Sequence, residues 1–194
     1  MSAFGPGMLL VASPELVDPN FVDTVVLLLD AGTEGALGVV LNRPSPVPVE
    51  EILPDWADLA TTPEVLFQGG PVGTDGALAV GLLAPDAVPP PGFSALTEGS
   101  RLGLVDLDAP VEALAAALVE LRIYAGYAGW GAGQLDAELE AMSWYVVPAE
   151  FADPFVDPFA AEAADAAGLA RAVLRRQPGD LAWHSTRPLD PGLN

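Results

Sequence analysis

The densest concentration of chemically capable residues runs from Arg122 to Asp136, Arg-Ile-Tyr-Ala-Gly-Tyr-Ala-Gly-Trp-Gly-Ala-Gly-Gln-Leu-Asp. It reads as a strand, Ile123–Tyr127, entering a turn with glycines at 126, 129, 131 and 133, and then a helix from Gln134. Such a turn can aim backbone N–H groups at an anion held on a helix N-terminus. The same glycines also let strand and helix backbones approach closely, with Trp130 plugging the core. The segment lacks the Gly-Lys-Ser/Thr of a phosphate-binding loop and is not the dinucleotide fingerprint with its downstream ribose-binding acid. Two further segments end a strand on a residue able to hydrogen-bond and then turn: Asn42-Arg43-Pro44 and Gln68-Gly-Gly-Pro71. Arg43 is the only cation in the first hundred residues. It reads either as a paired structural charge or as an anion clamp. The candidate ligand-binding residues are therefore Asn42, Arg43, Gly69, Gly70, Arg122, Tyr127, Trp130 and Gln134, and the ligand class they suit is a small anion.

Catalytic constellations are thin. His184 is the sole histidine, no cysteine is present, and no Gly-x-Ser-x-Gly nucleophile elbow occurs. A zinc site would have to be built on that one histidine plus carboxylates. His184 itself reads as a surface or packing residue. Asp18, Asp23, Asp75, Asp106 and Asp108 sit near strand ends, where a close pair would bind Mg²⁺ or do acid–base work. Among 27 acidic residues, chance proximity is the rule. No catalytic residue, metal or cofactor is assigned.

These residues need elements to position them. Apolar runs at Met8–Ser13, Thr24–Asp30 and Ala36–Leu41 read as strands, the last two as a hairpin. Such uniformly apolar runs suit strands covered on both faces. A proline-rich connector (Pro44, Pro46, Pro48) leads to a short helix over Val49–Trp56, then strands at Val65–Gln68 and Gly76–Leu83. The stretch Ala84–Gly99, rich in proline, reads as a surface loop. Beyond it, Arg101–Leu107 is a strand. Asp108 then caps a helix whose buried stripe is Val111, Leu114, Leu118 and Leu121. A helix over Gln134–Met142 turns Leu135, Leu139 and Met142 inward and Asp136, Glu138 and Glu140 outward. Ser143–Pro148 is a strand, and a last helix spans Pro158–Arg176, with acids early and arginines late as the helix dipole favours. Strands early and strand–helix alternation later indicate an α+β fold rather than a doubly wound parallel sheet.

Composition narrows the function. The 194 residues fit one domain, 1–194, able to bury a full core without staples. Seven arginines and no lysine face 27 acids, for a net charge of −20. Nucleic-acid affinity rests on phosphate neutralisation, and this surface has few cations to offer. The same field repels an anionic membrane leaflet. No apolar run approaches the length of a membrane helix, and the first residues lack a secretory signal, so a cytoplasmic location is expected.

Several blocks in order carry a family resemblance: Gly7-Met-Leu-Leu-Val-Ala-Ser-Pro14, the run from Asp18 to Leu29, Gly35-Ala-Leu-Gly-Val-Val-Leu-Asn-Arg-Pro44 and Gly69-Gly-Pro71. Arg122 to Leu135, Trp144, and Val173-Leu-Arg-Arg-Gln-Pro178 continue it. Together they resemble the bacterial YqgE/AlgH family from residue 7 to about 190. The resemblance implies a mixed branched sheet with a small barrel-like core flanked by helices. Two departures stand out. Where the family commonly carries an acid–histidine pair after the second strand, this chain has Asp30-Ala31; where it carries Leu-Trp in the last helix, this chain has Leu169-Ala170. A role for that histidine cannot operate here, and packing around Ala170 is expected to be looser. The family is labelled by some as a transcriptional regulator of alginate production and by others only as uncharacterised.

The expectation is a non-enzymatic regulatory or interaction protein working through a protein partner or a small ligand. The alternatives are a carboxylate-based, metal-assisted hydrolase and a DNA-binding transcriptional regulator, the last disfavoured by charge.

Overall fold

A computed structural model describes residues 4–159 and 167–186. In chain order the strands and helices are β1 (Met8–Ala12), β2 (Val25–Gly32), β3 (Gly35–Val40), β4 (Pro44–Pro48), α1 (Val49–Ile52), a 3-10 helix (Pro54–Leu59), β5 (Val65–Gln68) and β6 (Val72–Leu83). There follow β7 (Phe93–Ala95), β8 (Leu102–Val105), α2 (Val111–Ala115), β9 (Leu118–Gly131), α3 (Gln134–Glu140), β10 (Trp144–Pro148), a 3-10 turn (Asp153–Phe155), α4 (Gly168–Arg175) and α5 (Leu181–His184). The fold is α+β, a largely antiparallel sheet curled into a half-barrel and flanked by short helices.

The apolar strands are double-faced because the curled sheet encloses more than one core. Along β2, Val25, Leu27 and Leu29 enter one cluster with Leu9, Val39 and Phe67, while Val26 and Leu28 enter another with Leu10, Trp130 and Trp144. Every second residue has a different apolar neighbourhood, so no polar alternation survives. A third cluster gathers Trp56, Leu114, Leu121 and Ile123.

The hub is β9, 14 residues long. One edge pairs with β6, from Leu83↔Leu118 to Val72↔Tyr127. Its other edge is shared: β3 takes the far end, Gly35↔Gly131 to Gly38↔Ala128, and β5 runs parallel beside Tyr124 and Ala125. The sheet forks there, with β1, β2 and β10 continuing from β3, and β4 from β5.

The helix expected over Val111, Leu114, Leu118 and Leu121 is corrected. It ends at Ala115, and Leu118 already belongs to β9. Leu121 and Ile123 alternate with Arg122 and Tyr124 across two cores, and the long ladder to β6 outweighs the 3.6-residue period. Asp108 is not the cap. Pro110 holds that position, and the Asp108 amide donates to Asp106 Oδ1 in a local turn. The helix over Val49–Trp56 breaks at Leu53 before Pro54. The loop Ala84–Gly99 contains β7, and the strand after it is confined to Leu102–Val105. The strand expected at Ile123–Tyr127 runs on to Gly131. Glu138 turns inward, where its Oε2 accepts both indole N–H groups, from Trp130 at 2.9 Å and Trp144 at 2.8 Å. Pro158 and Phe159 lie in a turn, the described part of the last long helix is Gly168–Arg175, and residues 160–166 of the expected span lie outside the described residues. Among the described residues, no helix is long and apolar enough to cross a membrane.

Candidate functional site

The fork in the sheet is made by glycines. At the end of β5 the Gly69 amide donates to Ala125 O at 2.8 Å, and Gly69 O accepts the Val40 amide at 2.8 Å, so one residue joins both branches. A Cβ on Gly69 would fall 2.3 Å from Gly126 O, and one on Gly70 would fall 2.2 Å from Tyr127 O. Both contacts are with backbone, which cannot step aside. Gly126, at φ +69°, answers from β9: a Cβ there would stand 2.6 Å from Gly70 O. Only residues without a side chain bring these strands this close.

Where the branches part, a cavity of about 350 Å³ opens, at the small end of the range for ligand pockets. Val40, Gly70, Pro71 and Ala125 line it together with the polar side chains of Asn20, Arg43, Gln68 and Thr74. Thr74 reaches it because β6 bulges: between Val72↔Tyr127 and Ala77↔Ala125 the strand carries extra residues that stand off the ladder. Arg43 stands between β3 and β4, next to Asn42 and immediately before Pro44, and Asn20 lies in the turn before β2.

Arg43 is held by carbonyls. Nη1 donates to Asn20 O at 2.6 Å, and Nη2 donates to Pro19 O at 3.1 Å and Val22 O at 3.2 Å. Among the described residues no carboxylate lies within ion-pair distance of it. Burial draws its pKa below the ordinary guanidinium value, while Asp23 and Asp18 at longer range push it back up. It remains a cation at neutral pH. Asp18 turns its Oδ1 to the Asn20 amide in an Asx turn. The result is a cationic wall whose charge is solvated by peptide dipoles, beside two amides and a hydroxyl.

The other candidates from the sequence lie elsewhere or face inward. Asn42 is buried: its Oδ1 accepts the Val25 amide and its Nδ2 donates to Asp23 O, tying β3 to the start of β2. Tyr127 backs the fork with its main chain, its ring packed beside Gly73. Trp130 stacks on Phe21 and meets Trp144 edge-to-face, each at a ring centroid distance of 6.1 Å. Gln134 Oε1 accepts the Gly131 amide and its Nε2 donates to Glu138 Oε1. Gln134 thus ties the end of β9 to the first turn of α3, whose N-cap is Gly133. Arg122 is 1% exposed and lies over the Phe67 ring at 4.2 Å. Its Nη1 donates to Val156 O at 2.9 Å and its Nη2 to Thr62 O at 2.8 Å, while Nε has no partner. Burial lowers its pKa, opposed by Tyr124, Asp157 and Glu120.

Arg43 and Gly70 are thus brought together in the cavity, with Gly69 as its hinge. Asn20 and Thr74 were not singled out from the sequence. The signals were a Pro-Asn turn for Asn20, and glycines at 73 and 76 inside an apolar strand, which mark a bulge. His184 stacks on Tyr145 at 4.8 Å, its Nδ1 3.3 Å from the phenol oxygen.

A family model described as AlgH-like (DUF179) matches residues 9–182. A UPF0301 protein of Streptomyces coelicolor is 54% identical, covering 97% of this chain and 94% of that protein. A UPF0301 protein of Mycobacterium tuberculosis is 44% identical over 97% of this chain and 90% of its own length. Among solved structures, a Corynebacterium diphtheriae protein superposes with a TM-score of 0.86 at 30% identity, over 96% of this chain and 94% of that one. The solution structure of the AlgH protein from Pseudomonas aeruginosa gives a TM-score of 0.66 at 29% identity, over 97% and 98% of the two chains. The fold is therefore a shared architecture, and the chain belongs to the AlgH-like family.

Proposed function

We propose that the protein is a non-enzymatic, cytoplasmic regulatory protein that binds a small anionic ligand in the fork of its sheet. The observation that carries this reading is Arg43: a cation bound by three carbonyls rather than by a carboxylate, in a chain with acids to spare. A ligand carboxylate would form a charge-assisted bond there, while Asn20, Gln68 and Thr74 offer hydrogen bonds to its polar groups. One guanidinium and a net charge of −20 suit a monoanion better than a polyphosphate.

The same guanidinium gives the ligand a way to act. Its partners belong to the turn at residues 19–22, which sits beside the exposed side chains of Val17 and Val22. An anion drawing Arg43 into the cavity competes with those carbonyls and loosens the turn. Binding is then coupled to an apolar surface that a protein partner reads.

The hydrolase alternative requires converging carboxylates. Its test is a hydrolase screen with Mg²⁺ and Mn²⁺ against EDTA, where activity that survives purification and vanishes on Asp→Asn change would promote it. For the DNA-binding alternative the test is a gel shift at moderate salt, where we expect no complex. The ligand reading is tested by amide chemical-shift mapping with a panel of small carboxylates and inorganic phosphate. A ligand should move the amides of Asn20, Gly70 and Thr74 and bind about tenfold more weakly to Thr74→Val or Gln68→Leu, a loss equivalent to one hydrogen bond to a charged group. Shifts confined to other surfaces, or binding indifferent to these substitutions, would refute it.

A further inference from the structure

A second concavity lies on the far side of β6. Strand β8 covers only part of that edge, from Leu82↔Leu102 to Ala79↔Val105. Beyond Val105 the chain leaves β6, and the Asp106 amide is taken by Gly92 O at 2.8 Å. Among the described residues no strand continues along β6 at Ala77 and Leu78 on that side. A groove of about 680 Å³ occupies the place where such a strand would run. Leu53, Ala77, Leu78, Leu104 and Leu107 line it, with the exposed carboxylates of Asp106 and Asp108 at its mouth.

Three features bear on the occupant. An unpaired sheet edge offers peptide N–H and C=O groups to an incoming extended chain. The leucines supply apolar contact for alternate side chains. The charged side chains lining the groove are all acidic, and both aspartates are exposed. Arg101, the nearest arginine in sequence, is engaged elsewhere: its Nε donates to Leu83 O and its guanidinium lies 5.4 Å from the Phe151 ring centroid. A second copy of a chain carrying −20 is repelled from such a mouth.

We infer that this groove docks an extended segment of a partner protein in which apolar residues alternate with lysine or arginine. The segment adds as a short strand along Ala77–Leu78, in the line that β8 abandons. Its apolar side chains rest on Leu78 and Leu104 and its cations meet Asp106 and Asp108. The site is separate from the Arg43 cavity, and neither reading depends on the other.

The test uses the full chain and a short capped peptide alternating leucine or valine with lysine, a charge-reversed peptide carrying glutamate, and versions of the first N-methylated at alternate backbone positions. The expected result is binding of the lysine peptide that weakens with salt, with amide shifts at Ala77, Leu78 and Asp106. Asp106→Asn combined with Asp108→Asn keeps the Asx acceptor but removes two charges, and should weaken binding at least fivefold without moving the melting temperature. One of the two N-methylation registers should abolish binding, because it blocks the peptide donors that face β6. Equal binding of the glutamate peptide, indifference to both N-methylation registers, or shifts mapping to the Arg43 cavity would overturn the proposal. So would groove amides that respond to protein concentration alone, which would make a second copy the occupant.

Discussion

Arg122 offers the sharpest test of how this core is held. Replacing it with methionine keeps much of the side-chain stem but removes donors to Thr62 O and Val156 O, at 2.8 and 2.9 Å, and a weaker one to Phe155 O at 3.5 Å. Hydrogen bonds from a charged donor contribute about 1.5–3 kcal/mol each, so the two short ones place the gross loss at about 3–6 kcal/mol. Against this stands relief of a buried charge with no ion-pair partner among the described residues and an orphaned Nε. The net destabilisation expected for Arg122→Met is about 2–4 kcal/mol, which for a domain of this size lowers the melting temperature by roughly 5–15 °C. Arg122→Lys should be at least as damaging. It keeps the charge buried, forfeits the flat stacking on Phe67, and cannot span both carbonyls from one ammonium. Urea unfolding of the three proteins reads the order directly. A lysine variant within about 0.5 kcal/mol of the parent, the scatter of an ordinary surface change, would refute the claim that geometry rather than charge fixes this residue.

Glu138→Leu strands two buried indole donors, Trp130 and Trp144, at about 1–3 kcal/mol each before relaxation; denaturation followed by tryptophan fluorescence should show a loss of about 2–4 kcal/mol. Gly69→Ala forces a Cβ to 2.3 Å from Gly126 O and should cost about 3 kcal/mol or more, whereas Gly32→Ala, with nothing within 4 Å, should fall within about 0.5 kcal/mol of the parent. Tyr124 is buried, and loss of solvation raises its pKa well above the usual phenol value, opposed by Arg122. The unfolded chain therefore releases that proton first, so this contribution is intact below about pH 10 and declines as pH rises beyond it. Tyr124→Phe should flatten the alkaline fall in melting temperature, at the expense of one 3.3 Å hydrogen bond to Pro154 O.

Local signals were legible in the sequence where one interaction dominated. Val25–Leu29 announced a strand covered on both faces, and the hairpin to β3 followed from the short turn. The stretch 111–121 misled because leucines at helical spacing also satisfy a strand whose alternate residues enter different cores; only the partner strand decides, and β6 lies some forty residues upstream in sequence. Glu138 misled for a related reason. A helix wheel places it outside, but two indole N–H groups from β9 and β10 converge on it, and neither is local to α3. The cavity shows both limits. Arg43 and Gly70 were visible as a lone cation and a glycine pair at strand ends. Asn20 and Thr74 join them only through the fork and the bulge in β6, which are properties of the assembled sheet.

The arginines tie these observations together. Six of the seven fall among the described residues, and of these only Arg175 is exposed. Arg43 and Arg101 donate to backbone carbonyls, Arg122 is sealed between Phe67 and the 155–156 turn, and Arg176 is locked to Asp153, a bond that raises its pKa. A chain that spends its cations on its own carbonyls and carboxylates leaves its acids facing water. Counterion release, the main source of affinity for nucleic acid, then has Arg175 as the one exposed cation among the described residues to work with. What such a surface attracts is the opposite charge: a basic segment at Asp106 and Asp108, or, where Arg43 lines the cavity at the fork of the sheet, one small anion. Both readings follow from the same distribution of charge, and each can fail without the other.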